Sequence, residues 1–241
     1  ALPALILTKG NVKIILGRNN KKLKKINLET KIFDPKENLG YLNGALYGYN
    51  CIISQNEFIP KWVVISNTDI AINDNYFFEK FSSNYYEKNI WCIGPSIYSS
   101  KKKSYDNPQY IDRCTIEKIN RIIWVHERPI IAYLYTKLSE IKATIKNRSK
   151  KESQYVYSNH GSFFILKYEF IEIIKNKTYE PFLYSEEAYI AELIIQNRKN
   201  SYYDSTIELI HNESSVTGLL SVKNKSRFIA NSLKYIRDKF Y

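Results

Sequence analysis

Short apolar runs alternate along this chain with segments of helical periodicity, an order that is typical of α/β proteins. The apolar runs predict strands at residues 3–7, 12–16, 31–33, 62–65, 90–97 and 207–210, with a further strand inside 157–174. Helical spacing follows residue 38, begins again near 76, extends over 116–145 with a break at Pro129, and returns after 185 and over 226–241. The length of 241 residues fits one α/β domain with a large core, so we expect a single domain over 1–241.

A short polar tip ends the apolar run at 62–65. It includes Asn67 and Asp69, and apolar residues resume at Ile70. Ligands of open α/β sheets bind outside the carboxyl ends of the strands, which is where Asp69 would lie. A divalent cation that also contacts a diphosphate needs only one or two protein carboxylates. An ordinary turn explains the same residues, so both interpretations stay open.

Three glycines recur every fourth residue in the helical segment after residue 38. Asn38 is placed to cap this helix, and Gly40, Gly44 and Gly48 lie along one side of it. A stripe of small residues allows another backbone or a flat ligand to come close. Packing of the helix against the sheet and binding of a ligand explain the glycines equally well.

Paired acids open the helix that follows residue 185. Glu186 and Glu187 fall in its first turn, where the helix dipole stabilises negative charge. A carboxylate held rigidly at such a position is also suited to act as a general base. His211 follows the strand at 207–210, and a lone histidine at a strand end is more often structural than a ligand.

The amino-acid composition limits the kinds of molecule that this protein is expected to bind. The net charge of +12 indicates a negatively charged partner, namely nucleic acid, an anionic membrane surface or a phosphorylated small molecule. The three cysteines are widely spaced without a CxxC pair, which predicts a reducing, cytoplasmic setting and no zinc site. No apolar run approaches the roughly 18 residues of a membrane span. The basic, aromatic segment 116–145 suits either an anionic bilayer surface or a helical insertion over the sheet.

Taken in order along the chain, these motifs resemble the family 2 glycosyltransferases with the GT-A fold. The series consists of the glycine segment, the Asn-Thr-Asp tip, the strand with Gly94-Pro95, the sequence Gly-Ser-Phe-Phe-Ile-Leu from Gly161, the Ser-Glu-Glu helix start and the strand that ends at His211. The similarity covers roughly residues 32–241 and is greatest to the bacterial branch that builds capsular, O-antigen or exopolysaccharide chains, including rhamnosyltransferase-like enzymes. It implies a Rossmann-like mixed central sheet flanked by helices, with a helical insertion at 116–150, a C-terminal helix and a shortened N-terminal part.

The resemblance also implies roles for individual residues. Asp69 would bind a divalent metal, Mn²⁺ or Mg²⁺, with His211 completing the metal site, and Asn67 stands where the family has its first acid. Glu187 would be the catalytic base, with Glu186 as its neighbour or alternative. The remaining assignments are Asn38 and Gly40 on the nucleotide-sugar side and His160, Gly161 and Ser162 on the acceptor side.

The implied reaction transfers a sugar from a nucleotide-sugar donor to a saccharide acceptor, lipid-linked in the preferred interpretation, with inversion at the anomeric centre. We expect a cytoplasmic protein, with a peripheral position at the inner face of the cell membrane as an alternative. Catalytically weak or inactive assembly partners share this fold and form a second hypothesis. A nucleic-acid-binding module is a third, although no RRM, KH or zinc-finger signature is present and we expect no nucleic acid. A glycosidase would need a second carboxylate distant from Glu186 and Glu187, because adjacent residues of one helix turn do not face each other across a sugar.

Overall fold

The computed structural model describes residues 3–8, 11–17, 30–33, 35–54, 59–145, 149–212 and 221–241, and it describes side chains from residue 33 onward except at 34 and 140–145. The strands are β1 (Pro3–Thr8), β2 (Asn11–Gly17), β3 (Thr30–Phe33), β4 (Trp62–Ser66), β5 (Ile70–Ala71), β6 (Ile90–Ser99), β7 (Ser104–Tyr105), β8 (Gln154–Val156), β9 (Phe163–Lys167) and β10 (Asn200–His211). The helices are α1 (Tyr41–Ile53), α2 (Phe77–Ser83), α3 (Ile116–His126), α4 (Pro129–Ile145), α5 (Tyr168–Ile174), α6 (Glu186–Gln196) and α7 (Val222–Phe240).

The ten strands of the described residues form one mixed sheet. Eight of them follow the order β3-β2-β1-β4-β9-β6-β10-β5, while β7 pairs with β6 and β8 with β10. β6 and β10 are parallel, and β9 runs antiparallel to both of its neighbours, β4 and β6. β4, β6 and β10 therefore point the same way, and their carboxyl ends share one edge of the sheet with the amino end of β9. The prediction of a mixed central sheet of Rossmann-like α/β type, flanked by helices, is confirmed.

The central strands are buried on both faces. Along β4, Val63 and Ile65 join the core cluster that includes α1, α5 and α6, whereas Trp62 and Val64 join the cluster that includes α2. This alternation is the period-two pattern of a strand, and it explains why the sequence of β4 is continuously apolar. A rigid, doubly covered strand thus leads directly to the polar tip that follows it.

Several boundaries differ from the prediction. β10 begins at Asn200, well before the predicted start at residue 207, and the short strand β7 forms where no strand was predicted. The capping role predicted for Asn38 is wrong. α1 begins after Gly40 without a side-chain cap, and Asn38 Oδ1 instead accepts a hydrogen bond from the Gly40 N–H at 3.1 Å. The basic segment 18–25 lies outside the described residues.

Two helices occupy the region in which an insertion was predicted. α3 and α4 are separated at Pro129, and both pack against α7. Within the described residues, none of the helices is long and apolar enough to cross a lipid bilayer.

Candidate functional site

Asp69 and His211 meet at the carboxyl edge of the sheet. Asp69 Oδ1 lies 3.3 Å from His211 Nε2, and each residue is only 8% exposed. The backbone holds the pair in place, because β5 pairs with the end of β10 and the Asn212 N–H donates to the Asp69 carbonyl at 2.9 Å. The predicted association of these two residues, which lie far apart in sequence, is therefore present in the structure.

His211 stands between further charged and aromatic neighbours. Its Nδ1 is 3.9 Å from Asp106 Oδ2, and its ring centroid is 5.8 Å from that of His160. Lys102 donates to both carboxylate oxygens of Asp106, at 3.1 and 3.2 Å. The loop after β6 thus adds a second acid, Asp106, and a cation to the site, and the sequence had indicated neither.

Burial and charge act in opposite directions on the two aspartates. Burial raises the pKa of Asp69, but the interactions with His211 and Asn67 outweigh it and hold the pKa below its ordinary value. Burial likewise raises the pKa of Asp106, and His211, His160 and Lys102 together lower it further than burial raises it. Both aspartates are therefore anionic at neutral pH, as ligands of a hard cation must be.

The Asp69–His211 pair has the donor set for a divalent cation. Two ligands at neighbouring positions of an octahedral ion lie about 3 Å apart, close to the separation seen here. Both Asp69 carboxylate oxygens are buried, and among the described residues none donates a hydrogen bond of normal geometry to them. Among the described residues, no three His, Cys, Asp or Glu side chains form a metal-binding group. Asp69 and His211 thus suit an ion whose other ligands come from substrate phosphates and water.

A polar network positions the residues before β9. His160 Nδ1 contacts Ser162 Oγ at 2.8 Å, and the Ser162 carbonyl accepts from the Asn67 N–H at 2.8 Å. The His160 N–H donates to Asn107 Oδ1 at 2.7 Å, and Asn107 Nδ2 donates to the Pro95 carbonyl at 2.7 Å. These bonds tie together the three segments that follow β4, precede β9 and follow β6.

Gly94 makes room for this network. A Cβ atom at Gly94 would lie 2.2 Å from the Asn159 side chain and 2.6 Å from Asn107 Nδ2. Asn159 Nδ2 in turn donates to the Tyr202 carbonyl on β10 at 3.1 Å. A side chain in the middle of β6 would therefore displace the amides that hold His160.

The paired acids of α6 approach the same region. Glu187 Oε2 lies 3.4 Å from the position that a Cβ of Gly161 would occupy, which places the carboxylate directly beside Gly161. Burial, followed by the charge of Glu187, raises the pKa of Glu186 to about 8. Glu187 is partly exposed as a residue, but its carboxyl group is desolvated, and this burial raises its pKa as well.

Tyr41 links the acids electrostatically. Its pKa is raised well above the ordinary value, first by burial and then by the charges of Glu186, Glu187 and Asp69. In the described part of the chain its buried hydroxyl has no hydrogen-bond partner. The three carboxylates therefore act on one group at the start of α1, although sequence reasoning had not selected Tyr41.

Gly40 allows the start of α1 to come this close. Its φ of 78° is in the left-handed region that favours glycine, and a Cβ there would lie 2.3 Å from the Phe182 carbonyl oxygen. Gly40 thus packs against the segment that leads to α6. Asn38 is exposed, and its bond to Gly40 is local.

The start of α6 is also held by a contact with α7. Ser185, in a left-handed conformation with φ 62°, places its Oγ 3.0 Å from Ser232 Oγ on α7, and both side chains are buried. The C-terminal helix therefore supports the turn that carries Glu186 and Glu187.

Comparisons with known proteins add no assignment. A scan against models of protein families gave no match to this chain, and a search of curated proteins gave none either.

Proposed function

We propose that this protein is a glycosyltransferase with a GT-A-like fold that transfers a sugar from a nucleotide-sugar donor to a saccharide acceptor, lipid-linked in our preferred form. One observation carries the proposal. Asp69 and His211, in contact at 3.3 Å, share an electrostatic environment with the desolvated carboxyl pair of α6. A phosphate-binding ion and a base are the two groups that transfer from a nucleoside diphosphate requires.

The donor would bind at the carboxyl edge of the sheet. A divalent ion held by Asp69 and His211 would supply stabilisation of the negative charge that develops on the leaving diphosphate. Asn67, whose backbone is fixed by Ser162, contributes an amide beside Asp69. Gly40 brings the start of α1 close to the same site without a side chain of its own.

The acceptor proton would be taken by Glu187. Glu186 and Glu187 share the first turn of α6, and burial raises the pKa of both carboxyl groups. A carboxylate with a raised pKa is a stronger proton acceptor, which suits a general base. A base close to Gly161 would remove the hydroxyl proton of an acceptor bound beside His160 and Ser162. Attack from the face opposite the diphosphate gives inversion.

Titration calorimetry with nucleoside diphosphates tests the donor site. We expect nucleoside diphosphates to bind in the presence of Mn²⁺ and to bind weakly or not at all when the metal is removed. Asp69→Ala should abolish the metal-dependent binding. Asp74→Ala is the matched control, because Asp74 lies on the same segment but forms an exposed ion pair with Lys80 at 2.6 Å. Equal binding by wild type and Asp69→Ala would refute the proposal. A thermal-shift screen of sugar nucleotides would then identify the donor, since a bound ligand raises the stability of the folded state.

A further inference from the structure

The hydroxyl of Tyr41 is a buried polar group that the fold itself does not satisfy. Tyr41 is 7% exposed, and its hydroxyl has no hydrogen-bond partner among the residues that the structure describes. Buried tyrosine hydroxyls normally find a partner, because an unsatisfied one has lost its hydrogen bonds to water. Tyr49, further along the same helix, shows the normal case, since its hydroxyl donates to Glu172 Oε1 at 2.7 Å. The Tyr41 hydroxyl is therefore a candidate for contact with a bound ligand.

The start of α1 holds Tyr41 against the segment that leads to α6. Asn43 Nδ2 donates to the Tyr179 carbonyl at 2.8 Å, and Asn43 Oδ1 accepts from the Tyr179 N–H at 2.9 Å. Gly40 packs so closely against Phe182 that a Cβ atom would lie 2.3 Å from the Phe182 carbonyl oxygen. Tyr41 lies between these two contacts in the chain, so its position relative to the acids of α6 is fixed from both sides.

Both halves of the site act on this hydroxyl. Burial raises the pKa of Tyr41 most, and the charges of Glu186, Glu187 and Asp69 raise it further. The phenol therefore keeps its proton at physiological pH and serves as a hydrogen-bond donor, not as a base. A donor without an internal acceptor is suited to an oxygen of a ligand.

We propose that the Tyr41 hydroxyl donates a hydrogen bond to an oxygen of the transferred sugar and thereby selects among donors. This inference rests on the proposed function, in which Asp69 helps to bind the diphosphate and Glu187 takes the acceptor proton. The sugar would lie between these two groups during transfer, and Tyr41 is the residue on which both act. A sugar without an oxygen at this position would leave the buried hydroxyl unpaired, which is the basis for discrimination.

The stability of the ligand-free protein tests whether the hydroxyl has an internal partner. Tyr41→Phe removes only the hydroxyl, so we expect the melting temperature to stay the same or to rise. Tyr49→Phe is the matched control on the same helix. It breaks the bond to Glu172 and should lower the melting temperature by about 2–4 °C. An equal decrease in both variants would overturn the inference, because the Tyr41 hydroxyl would then be satisfied by the protein or by a buried water.

Calorimetry in the presence of Mn²⁺ tests the contact with the sugar. The probes are UDP, GDP and dTDP, compared with UDP-glucose, UDP-galactose, UDP-N-acetylglucosamine, GDP-mannose and dTDP-rhamnose. We expect wild type to bind at least one sugar nucleotide more tightly than the corresponding diphosphate. Tyr41→Phe should weaken binding of that sugar nucleotide by about 3- to 10-fold, as expected for one hydrogen bond, and leave binding of the diphosphate unchanged. Tyr49→Phe should bind both probes as wild type does.

Several calorimetric results would overturn the inference. One is a wild type that binds no sugar nucleotide more tightly than its diphosphate, and another is equal affinity of wild type and Tyr41→Phe for the sugar nucleotide. A third is an equal loss of affinity for the diphosphate, which would place the contact on the phosphates. The proposed function fails through a different result, namely diphosphate binding that is absent or independent of Asp69, so the two failures are distinguishable.

Discussion

Ionisable side chains lie at both edges of the central sheet. Those at the amino edge reach water, whereas those at the carboxyl edge are buried. At the amino edge, a groove of about 570 Å³ is bordered by Lys61, Lys88, Lys167 and Lys199 around Trp91. These lysines are exposed or half-buried, and Lys199 Nζ lies 5.4 Å from the centroid of the Trp91 ring. At the carboxyl edge, aspartates, glutamates and histidines are withdrawn from water and placed against one another.

The difference makes the carboxyl edge the better candidate for a functional site. Lysines whose ammonium groups reach water cost little to keep. Lys167, with a side chain that is 14% exposed, is paired with Glu169 of the same groove at 3.5 Å. Burying a carboxylate costs several kcal/mol unless it is paired, so a group of buried acids and histidines persists only where other contacts maintain it. Such groups, with shifted pKa values in a ligand-binding position of the fold, are typical of functional sites.

Replacing the proposed base should have the largest effect. Glu187→Gln removes the proton acceptor and keeps the shape of the side chain, so we expect sugar transfer to fall about a thousandfold while donor binding is retained. The measurement is steady-state turnover together with calorimetric donor binding. Glu180→Gln, at an exposed position before α6, is the control and should be silent. If Glu186→Gln abolishes transfer and Glu187→Gln does not, the roles of the two acids are exchanged.

The pH dependence of stability tests the burial of Glu186. Its pKa rises from 4.5 in the unfolded chain to about 8 in the folded protein, so the folded state binds more protons between these values. Stability should therefore fall as the pH rises from about 4.5 to about 8. Glu186→Gln should remove this loss and stabilise the protein by a few kcal/mol above pH 8, with no difference below pH 4.5. Thermal unfolding across this range measures it, and parallel curves for wild type and variant would contradict the assignment.

His211→Asn should weaken metal-dependent donor binding by about 10- to 100-fold, because an imidazole ligand is lost beside Asp69. Calorimetry with and without Mn²⁺ would detect the change. An unaltered manganese requirement would show that His211 only supports Asp69 and Asp106. This variant therefore distinguishes a metal-binding role of His211 from a purely structural one.

The amino edge should give the smallest effect. Lys88→Gln with Lys199→Gln removes two solvated charges, so we expect a change in stability within about 0.5 kcal/mol and unchanged donor binding. A loss of nucleotide binding in this variant would contradict the assignment of the nucleotide site to the carboxyl edge.

The sequence predicted the parts of the site that directly follow or begin a regular element. Asp69 follows an apolar strand, His211 ends one, and Glu186 and Glu187 open a helix, so each is indicated by local pattern. Asp106 and Asn107 lie in a polar region without periodicity, and their contacts to His211 and His160 are long-range. Such contacts depend on strand order, which no local pattern specifies.

The first half of β10 was missed for a related reason. Asp204 is buried in it, a placement that sequence alone disfavours for an acid. Its carboxylate accepts hydrogen bonds from Asn84 at 2.9 Å and Tyr86 at 2.5 Å, both more than a hundred residues earlier in the chain. The partners that make a polar strand acceptable in the core are visible only in the folded protein.

The contact between Ser185 and Ser232 gives the C-terminal helix influence over the site. The hydroxyl pair joins α7 to the residue directly before Glu186, so a change that shifts α7 would be transmitted to the acids of α6. A substitution at Ser232 would therefore act on Glu186 and Glu187 through Ser185, although it is distant from both acids in sequence.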